Sequence, residues 1–241
     1  MNIIFISLFL LLGTFLGSFL AVVFKRSFIG ISTSLALTGG VMLVASFTSL
    51  ILPGIELGGF SKVALGIIFG FGVMALIEGI VPHEHTLKGK EGLTQHRINK
   101  LYLVVLAVII HNIPEGLSVG IASAYSIQEG FKTSIAIALQ DIPEGLVVSL
   151  PLMVISGKVI MPLWVGFLSG LLEAFFALAG FVFFEHFKNL LAFGLGFGGG
   201  AMVYITAKEV FPEAYAEGKH TQSTIAFLLG LLLMLLLDTS L

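Results

Sequence analysis

Long apolar stretches follow one another along this chain, and each is long enough to cross a membrane. The hydrocarbon core of a bilayer is roughly 30 Å thick, which takes about 20 apolar residues in a helix. Every backbone polar group inside that core needs an internal partner, which helices provide. The sequence therefore predicts an all-α polytopic membrane protein with eight transmembrane helices. The predicted spans are residues 2–24, 30–52, 61–80, 99–124, 130–155, 160–184, 188–209 and 221–238.

The composition agrees with a membrane protein and excludes several other classes. Of the 241 residues, 57% are hydrophobic and only 11% are charged, unlike the average soluble domain. A net charge of -2 gives no basic excess for nucleic acid, so we expect no nucleic-acid partner. The chain has no cysteine, so any metal must be bound by nitrogen, oxygen or methionine sulfur. We expect a single transmembrane domain over residues 1–241, surrounded by lipid.

The positions of the basic residues predict the orientation of the helices. Lys25 and Arg26 follow the first apolar stretch and no Lys or Arg precedes it, which indicates a retained helix and not a signal peptide. Cytoplasmic loops are enriched in Lys and Arg. We therefore predict a cell (inner) membrane protein with both termini outside and a cytoplasmic loop at 81–99. This orientation places nine basic residues inside: Lys25, Arg26, Lys88, Lys90, Arg97, Lys100, Lys158, Lys208 and Lys219.

Two of the predicted helices carry the same polar motif within an apolar stretch. IIHNIPEG, residues 109–116, lies in the fourth span, and ALQDIPEG, residues 138–145, lies in the fifth. An ionisable residue at the centre of a membrane helix costs on the order of 3 kcal/mol. Such groups need one another, water or a cation. The ionisable residues of the central spans are His111, Glu115, Asp141, Glu144 and Glu173.

Helical spacing allows these polar groups to converge. His111 and Glu115 are four residues apart, as are Gln140 and Glu144, so each pair shares one helix face. Asn112 with Glu115 and Asp141 with Glu144 form pairs three residues apart on an adjoining face. The connection over residues 124–130 is short, so we expect spans four and five to be antiparallel neighbours.

The prolines and glycines of the repeated motif also have predictable effects. Pro114 and Pro143 each remove a helix hydrogen bond, so the two helices are predicted to be kinked. The carbonyl oxygens that lose their partners become further candidate ligands. Gly116 and Gly145 leave room for close approach of neighbouring helices. The sequence therefore predicts two kinked helices, four and five, that form a central metal site.

The chemistry of these side chains favours divalent first-row metals. Imidazole nitrogen with carboxylate and amide oxygens suits zinc, iron or manganese. There are enough ligands for two adjacent ions, with Glu115 and Glu144 able to bridge them. Metal entry is expected to release protons from such ligands. The divalent metal is expected as a substrate, and no organic cofactor is expected.

At these residues the chain resembles the ZIP (ZRT/IRT-like) divalent metal transporter family. The resemblance depends on HNIPEG in the fourth span, its IPEG partner in the fifth, and eight spans with a polar loop after the third. TGGVMLVASFTSLILPGIE in span two and GGGAMVYITAKEVFPEA in span seven are similar to the bacterial GufA-like branch.

The resemblance implies a function and a set of ligands. Members of the family bring divalent metal into the cytoplasm, which implies transport of zinc, and also of iron, manganese or cadmium. An elevator-like movement of spans one, four, five and six against two, three, seven and eight is implied as well. One metal position of the implied binuclear site is formed by His111, Glu115, Gln140, Glu144 and Met42. The other is formed by Asn112, Asp141 and Glu173 with the same two glutamates.

Two other functions remain open from the residues alone. An intramembrane zinc-dependent hydrolase is the alternative, because the spacing of His111 and Glu115 could hold a catalytic metal with an open water position. The chain lacks H-E-x-x-H and has more acids than a three-ligand site needs, which favours transport and predicts that it is not an enzyme. A gated cation channel would share the site and differ from a carrier in its kinetics.

Several polar residues have no assigned role at this stage. The loop residues His83, Glu84, His85 and His96 either capture metal at the inner mouth or are solvated. Glu209 is either a secondary exit ligand or an interface residue, and Glu78 and Glu213 are assigned nothing. Small residues on the outer spans permit a homodimer.

Overall fold

The computed structural model describes residues 2–24, 30–80, 83–85, 89–91 and 100–240, and these residues are mainly helical. Two π-helical segments, Ser46–Ile51 and Thr206–Val210, and a short 3-10 helix, Lys188–Leu190, lie between α-helices. In chain order the elements are α1 (Ile3–Phe24), α2 (Ile31–Ala45), α3 (Leu52–Gly58), α4 (Phe60–Ile80), β1 (His83–His85), β2 (Gly89–Glu91), α5 (Lys100–Tyr125), α6 (Ile127–Ser156), α7 (Ile160–His186), α8 (Leu191–Ile205), α9 (Phe211–Ala214) and α10 (His220–Ser240).

The helices agree with the predicted membrane spans. Among the described residues, 7 helical segments are long and apolar enough to cross a membrane, and the predicted fourth span coincides with α5. The all-α polytopic fold is therefore confirmed. The helical segments that contain spans two and seven continue beyond the predicted ends, to Gly58 and Ala214. Pro53 and Pro212 lie in the first turns of α3 and α9, where a missing N–H breaks no helix hydrogen bond.

The long helices expose large apolar side chains on one face and bury small residues on the other. On α1, Leu8 and Leu12 are exposed while Gly13 and Gly17 are buried. A Cβ added to Gly17 would lie 3.0 Å from the Cα of Gly145 on α6, so these two helices approach closely. Small residues at helix contacts and apolar residues outside are typical of helices surrounded by lipid.

The helices form two groups. In the first bundle, α1 packs along α6 and α7, and α5 packs along the same two helices. In the second bundle, α4 packs along α8, α10 packs along α2, and α3 contacts α8. The bundles meet mainly where α5 contacts α8 and where α2 contacts α6. The first bundle consists of spans one, four, five and six, the same set that the family resemblance places together.

Helices α5 and α6 are adjacent and antiparallel, as predicted. Only Ser126 lies between them, and its hydroxyl accepts a hydrogen bond from the backbone N–H of Gln128 at 3.3 Å. This contact caps the first turn of α6. Both helices run on through their prolines, Pro114 and Pro143, so the repeated motifs stay helical.

The two π-helical segments were not predicted, although the sequence contains a repeat that marks them. GGVMLVAS, residues 39–46, and GGAMVYIT, residues 199–206, end in a hydroxyl residue four positions after a methionine. The Ser46 hydroxyl donates to the Met42 carbonyl oxygen at 2.6 Å, and the Thr206 hydroxyl donates to that of Met202 at 2.8 Å. Such bonds disturb the regular helix, and π-helical segments are frequent at functional sites.

Part of the polar loop at 81–99 forms a short hairpin, an exception to the predicted all-helical chain. Strand β1 pairs antiparallel with β2, with His83 opposite Glu91. The predictions for His96, and for the basic pair Lys25 and Arg26, fall outside the described residues. The cytoplasmic location of this loop stays a prediction.

Candidate metal site between the helices

The candidate metal site lies where α5, α6 and α7 of the first bundle pack together. Three helices place seven of the eight predicted ligands here, and the eighth, Met42, is on α2 of the second bundle. The seven are His111, Asn112 and Glu115 on α5, Gln140, Asp141 and Glu144 on α6, and Glu173 on α7.

The repeated motifs of α5 and α6 face each other and pair crosswise. The Nε2 of Gln140 donates a hydrogen bond to Oε1 of Glu115 at 2.6 Å. The Nδ1 of His111 lies 3.8 Å from Oε1 of Glu144. Each predicted pair that shares a helix face therefore contacts the other pair. The structure brings these four residues together, and their role as metal ligands stays a prediction.

A second set of contacts joins the same helices to α7. The Nδ2 of Asn112 donates to Oε2 of Glu173 at 3.4 Å, and the carboxyl of Asp141 lies next to that of Glu173. Carboxylate oxygens of Glu115, Asp141 and Glu144 all lie within 4.8 Å of one another. Acids this close repel one another unless protons or a cation neutralise them, so the cluster suits a divalent cation.

Five buried oxygens in this cluster have no hydrogen-bond donor among the described residues. An unsatisfied buried acceptor costs about 1–3 kcal/mol, so five of them in one place need an explanation. A bound cation would provide one, because all five atoms are potential metal ligands. The atoms are Oδ1 of Asn112, Oε2 of Glu115, Oε1 of Gln140, Oδ2 of Asp141 and Oε1 of Glu173.

Two side chains of the site are partly exposed at the surface of the protein. The side chains of His111 and Glu144 are 16% and 11% exposed, whereas the residues Glu115, Asp141 and Glu173 are at most 1% exposed. The imidazole and one carboxylate of the cluster are therefore more accessible than the three buried acids.

Met42 lies on the helix that passes beside this cluster. Its sulfur is 3.8 Å from the hydroxyl oxygen of Thr206, on the other π-helical segment. One turn earlier on α2, the Thr38 hydroxyl donates to the backbone carbonyl of Gln140 at 3.5 Å. Helix α2 is therefore close to the motif of α6, and the role of Met42 as a metal ligand stays a prediction.

Glu209 connects the second bundle to the site. Its side chain is buried in the π-helical segment after α8, and its Oε2 is hydrogen-bonded to Nε2 of His111. This contact places Glu209 at the interface between the bundles, and its role as a secondary exit ligand stays a prediction. The two residues are 98 positions apart, so helical spacing could not have predicted this contact.

Glu78 of α4, to which we assigned no role, is a buried acid that contacts the end of α8 and the π-helical segment after it. Its Oε1 accepts a hydrogen bond from Nζ of Lys208 at 2.6 Å, and its Oε2 accepts one from the hydroxyl of Tyr204. Glu78 is only 2% exposed. Because Lys208 precedes Glu209, this contact also holds the segment that reaches His111.

We expect Lys208→Met to lower the stability of the protein, because it leaves the buried Glu78 carboxylate without its cation. The expected loss in the free energy of unfolding is about 1–3 kcal/mol, which a lowered Tm in detergent would report. Lys188→Met is the matched control, since Lys188 is 65% exposed and its pair with Glu185 is local. Equal Tm values for the two variants would contradict the structural role of Lys208.

Known proteins resemble this chain over most of its length. The family model described as ZIP Zinc transporter matches residues 81–238. The zinc transporter ZIPB of Bordetella bronchiseptica is 35% identical over 224 residues, which cover 86% of this chain and 70% of ZIPB. The zinc transporter GufA of Myxococcus xanthus is 36% identical over 203 residues, 80% of each chain. The zinc transporter ZupT of Corynebacterium glutamicum is 34% identical over 250 residues, 95% of each chain.

These similarities agree with the polytopic membrane fold. The relatives are zinc transporters and not enzymes, so they give no support to the alternative of a zinc-dependent hydrolase. The matched region includes both IPEG motifs, Glu173 and the π-helical segment with Glu209. On these grounds the chain belongs to the ZIP zinc transporter family.

Proposed function

We propose that this protein is a secondary transporter that moves divalent metal ions, zinc above all, into the cytoplasm. The observation that carries the proposal is the set of five buried oxygens without donors between α5, α6 and α7. A dication satisfies several such oxygens at once, and clustered carboxylates within 4.8 Å need its charge. Family membership supports zinc, and iron, manganese or cadmium are further candidate substrates.

Two adjacent ions fit the contacts better than one. The crosswise contacts of Gln140 with Glu115 and of His111 with Glu144 define one group of candidate metal ligands. The contacts of Glu173 with Asn112 and Asp141 define the other. In the proposed binuclear site, Glu115 and Glu144 bridge the two positions, and Met42 completes the first. Nitrogen and oxygen ligands of this kind suit zinc.

Movement of one bundle against the other is the proposed mechanism of transport. Seven of the eight proposed ligands belong to the first bundle, and the eighth is Met42. The first bundle would therefore carry the ions as a unit. Transporters commonly expose a fixed site to each side in turn by rigid-body motion of one bundle. Metal binding displaces protons from the ligands, since only deprotonated groups bind the ion.

The proposed location is the cell (inner) membrane, with both termini outside. The support is the distribution of Lys and Arg along the sequence. The lipid bilayer and the metal ions are then the partners of the protein, and a homodimer stays a prediction.

Zinc flux into proteoliposomes is the direct test of the proposed function. Purified protein is reconstituted into vesicles that contain a fluorescent zinc indicator, and initial rates are measured over a range of zinc concentrations. We expect uptake that saturates, as for a carrier. Rates that rise without saturation would favour the gated channel, and flux equal to that of protein-free vesicles would overturn transport altogether.

The number of bound ions tests the binuclear arrangement. We expect parent protein to retain about two zinc ions per chain and the double variant Asp141→Ala, Glu173→Ala to retain about one, measured by elemental analysis after dialysis. Glu185→Ala, a change at a half-exposed acid of α7, is the control and should retain two. Two ions in the double variant, or none, would contradict separate positions.

A further inference from the structure

We propose that an ion pair between Lys132 and Asp238 joins the two bundles and must open each time the first bundle moves. Lys132 lies near the start of α6, and Asp238 lies near the end of α10. The inference rests on the proposed function, because it assumes transport by movement of one bundle against the other.

The geometry of the pair places a shared lysine between two acids. The Nζ of Lys132 is 3.7 Å from Oδ1 of Asp238 and 2.8 Å from Oε1 of Glu129. Glu129 is on the same helix, three residues before Lys132, whereas Asp238 belongs to the second bundle. The side chains of Lys132 and Asp238 are 11% and 24% exposed. Partly buried charges are screened less by salt and water than charges on the surface.

The position of the pair links it to the metal site. Helix α6 carries Lys132 and, eight residues later, Gln140, which is roughly 12 Å along the helix axis. The contact of α6 with α10 is small compared with the contacts inside each bundle. A displacement of α6 by one helical turn, about 5.4 Å, would separate Lys132 from Asp238. The pair therefore stabilises the arrangement of bundles seen in this structure.

Glu129 keeps the Lys132 ammonium group paired when the contact with Asp238 opens. When Asp238 moves away, Lys132 keeps its ion pair with Glu129, so no buried ammonium group is left alone. Asp238 is the more exposed partner and becomes hydrated. An ion pair of this kind resists movement and yet is reversible, as a transport cycle requires.

The chain contains no cysteine, so spin labels attach only to cysteines that are introduced for a distance measurement. Spin labels are attached to cysteines at Ile4 of α1 and Phe60 of α4, which are 62% and 71% exposed and lie on different bundles. Electron paramagnetic resonance then gives the distribution of distances between the two spin labels in lipid vesicles. Asp238→Asn and Lys132→Gln both remove the ion pair. We expect each of them to lower the population with the distance of this structure, relative to the other populations, at least threefold.

Two further variants separate the inter-bundle pair from local effects. The exchange Lys132→Glu with Asp238→Lys, made together with Glu129→Gln so that two acids do not adjoin, should restore the parent distribution, because it rebuilds the attraction with the charges reversed. Glu129→Gln should not reproduce the shift, since its contact with Lys132 lies within one helix.

The outcomes distinguish this inference from the proposed function. Zinc uptake by the unlabelled parent protein is measured in the same vesicles. If uptake is present but both single variants keep the parent distribution, or if Glu129→Gln shifts it equally, the role of the pair is refuted and transport stands. Absence of uptake by the parent would instead refute the proposed function.

Discussion

Glu144→Ala is expected to abolish zinc uptake. In the proposed site Glu144 belongs to both groups of ligands. Its carboxylate lies 3.8 Å from Nδ1 of His111, and one of its oxygens lies within 4.8 Å of oxygens of Glu115 and Asp141. Loss of an outer-shell partner already lowers metal affinity about 10- to 100-fold, so loss of a shared ligand should exceed that. We expect the initial rate in proteoliposomes to fall at least about 100-fold.

Glu185→Ala is the matched control for this experiment. Glu185 is an acid of α7 whose side chain is 43% exposed and whose partner is Lys188, so uptake should stay at the parent level. The Tm of both variants identifies any loss caused by unfolding. Undiminished uptake by folded Glu144→Ala protein would rule out the site as the path of the metal.

The second large effect is expected for Gly116→Ala, which should destabilise the protein and damage the site together. A Cβ at Gly116 would overlap the backbone carbonyl of Glu173, and it would lie 3.0 Å from the carbonyl carbon. Backbone cannot rotate away as a side chain does, so α5 and α7 must separate. Overpacking of this kind costs about 1–3 kcal/mol. We expect a lower Tm and fewer bound zinc ions.

Gly72→Ala is the control, because it makes the same chemical change at a glycine of another membrane helix, α4. A Cβ at Gly72 meets nothing within 4 Å. Alanine is also the better helix former by about 1 kcal/mol, so the Tm should be unchanged or higher. If the two variants have the same Tm and zinc content, the close approach at Gly116 is not important for the site.

Some features of the structure follow from local properties of the sequence. The membrane spans depend on lengths of apolar residues, which are visible along the chain. The sharing of one helix face by His111 and Glu115, and likewise by Gln140 and Glu144, follows from the helical repeat. The high cost of acids inside a membrane indicated that the two motifs would have to meet. The close packing at Gly116 and Gly145 was predicted because glycine leaves room for close approach of helices, and an added Cβ at Gly145 would lie 2.6 Å from the carbonyl oxygen of Thr14.

Other features depend on contacts that no local pattern specifies. Glu78 and Lys208 are 130 residues apart, and Glu209 is 98 residues from His111. Lys132 of α6 lies 3.7 Å from Asp238 of α10, a contact that no spacing within one helix predicts. The π-helical segments also became evident only from the hydrogen bonds of the folded helices.

The sequence by itself determined the membrane spans, the two facing motifs and the chemistry of the candidate ligands, because these depend on apolar length and on spacing within one helix. Only the tertiary structure decided which residues connect the first bundle to the second. The physical reason is that helical periodicity orients a side chain within its own helix, whereas the depth and rotation of neighbouring helices come from the packing of the whole chain.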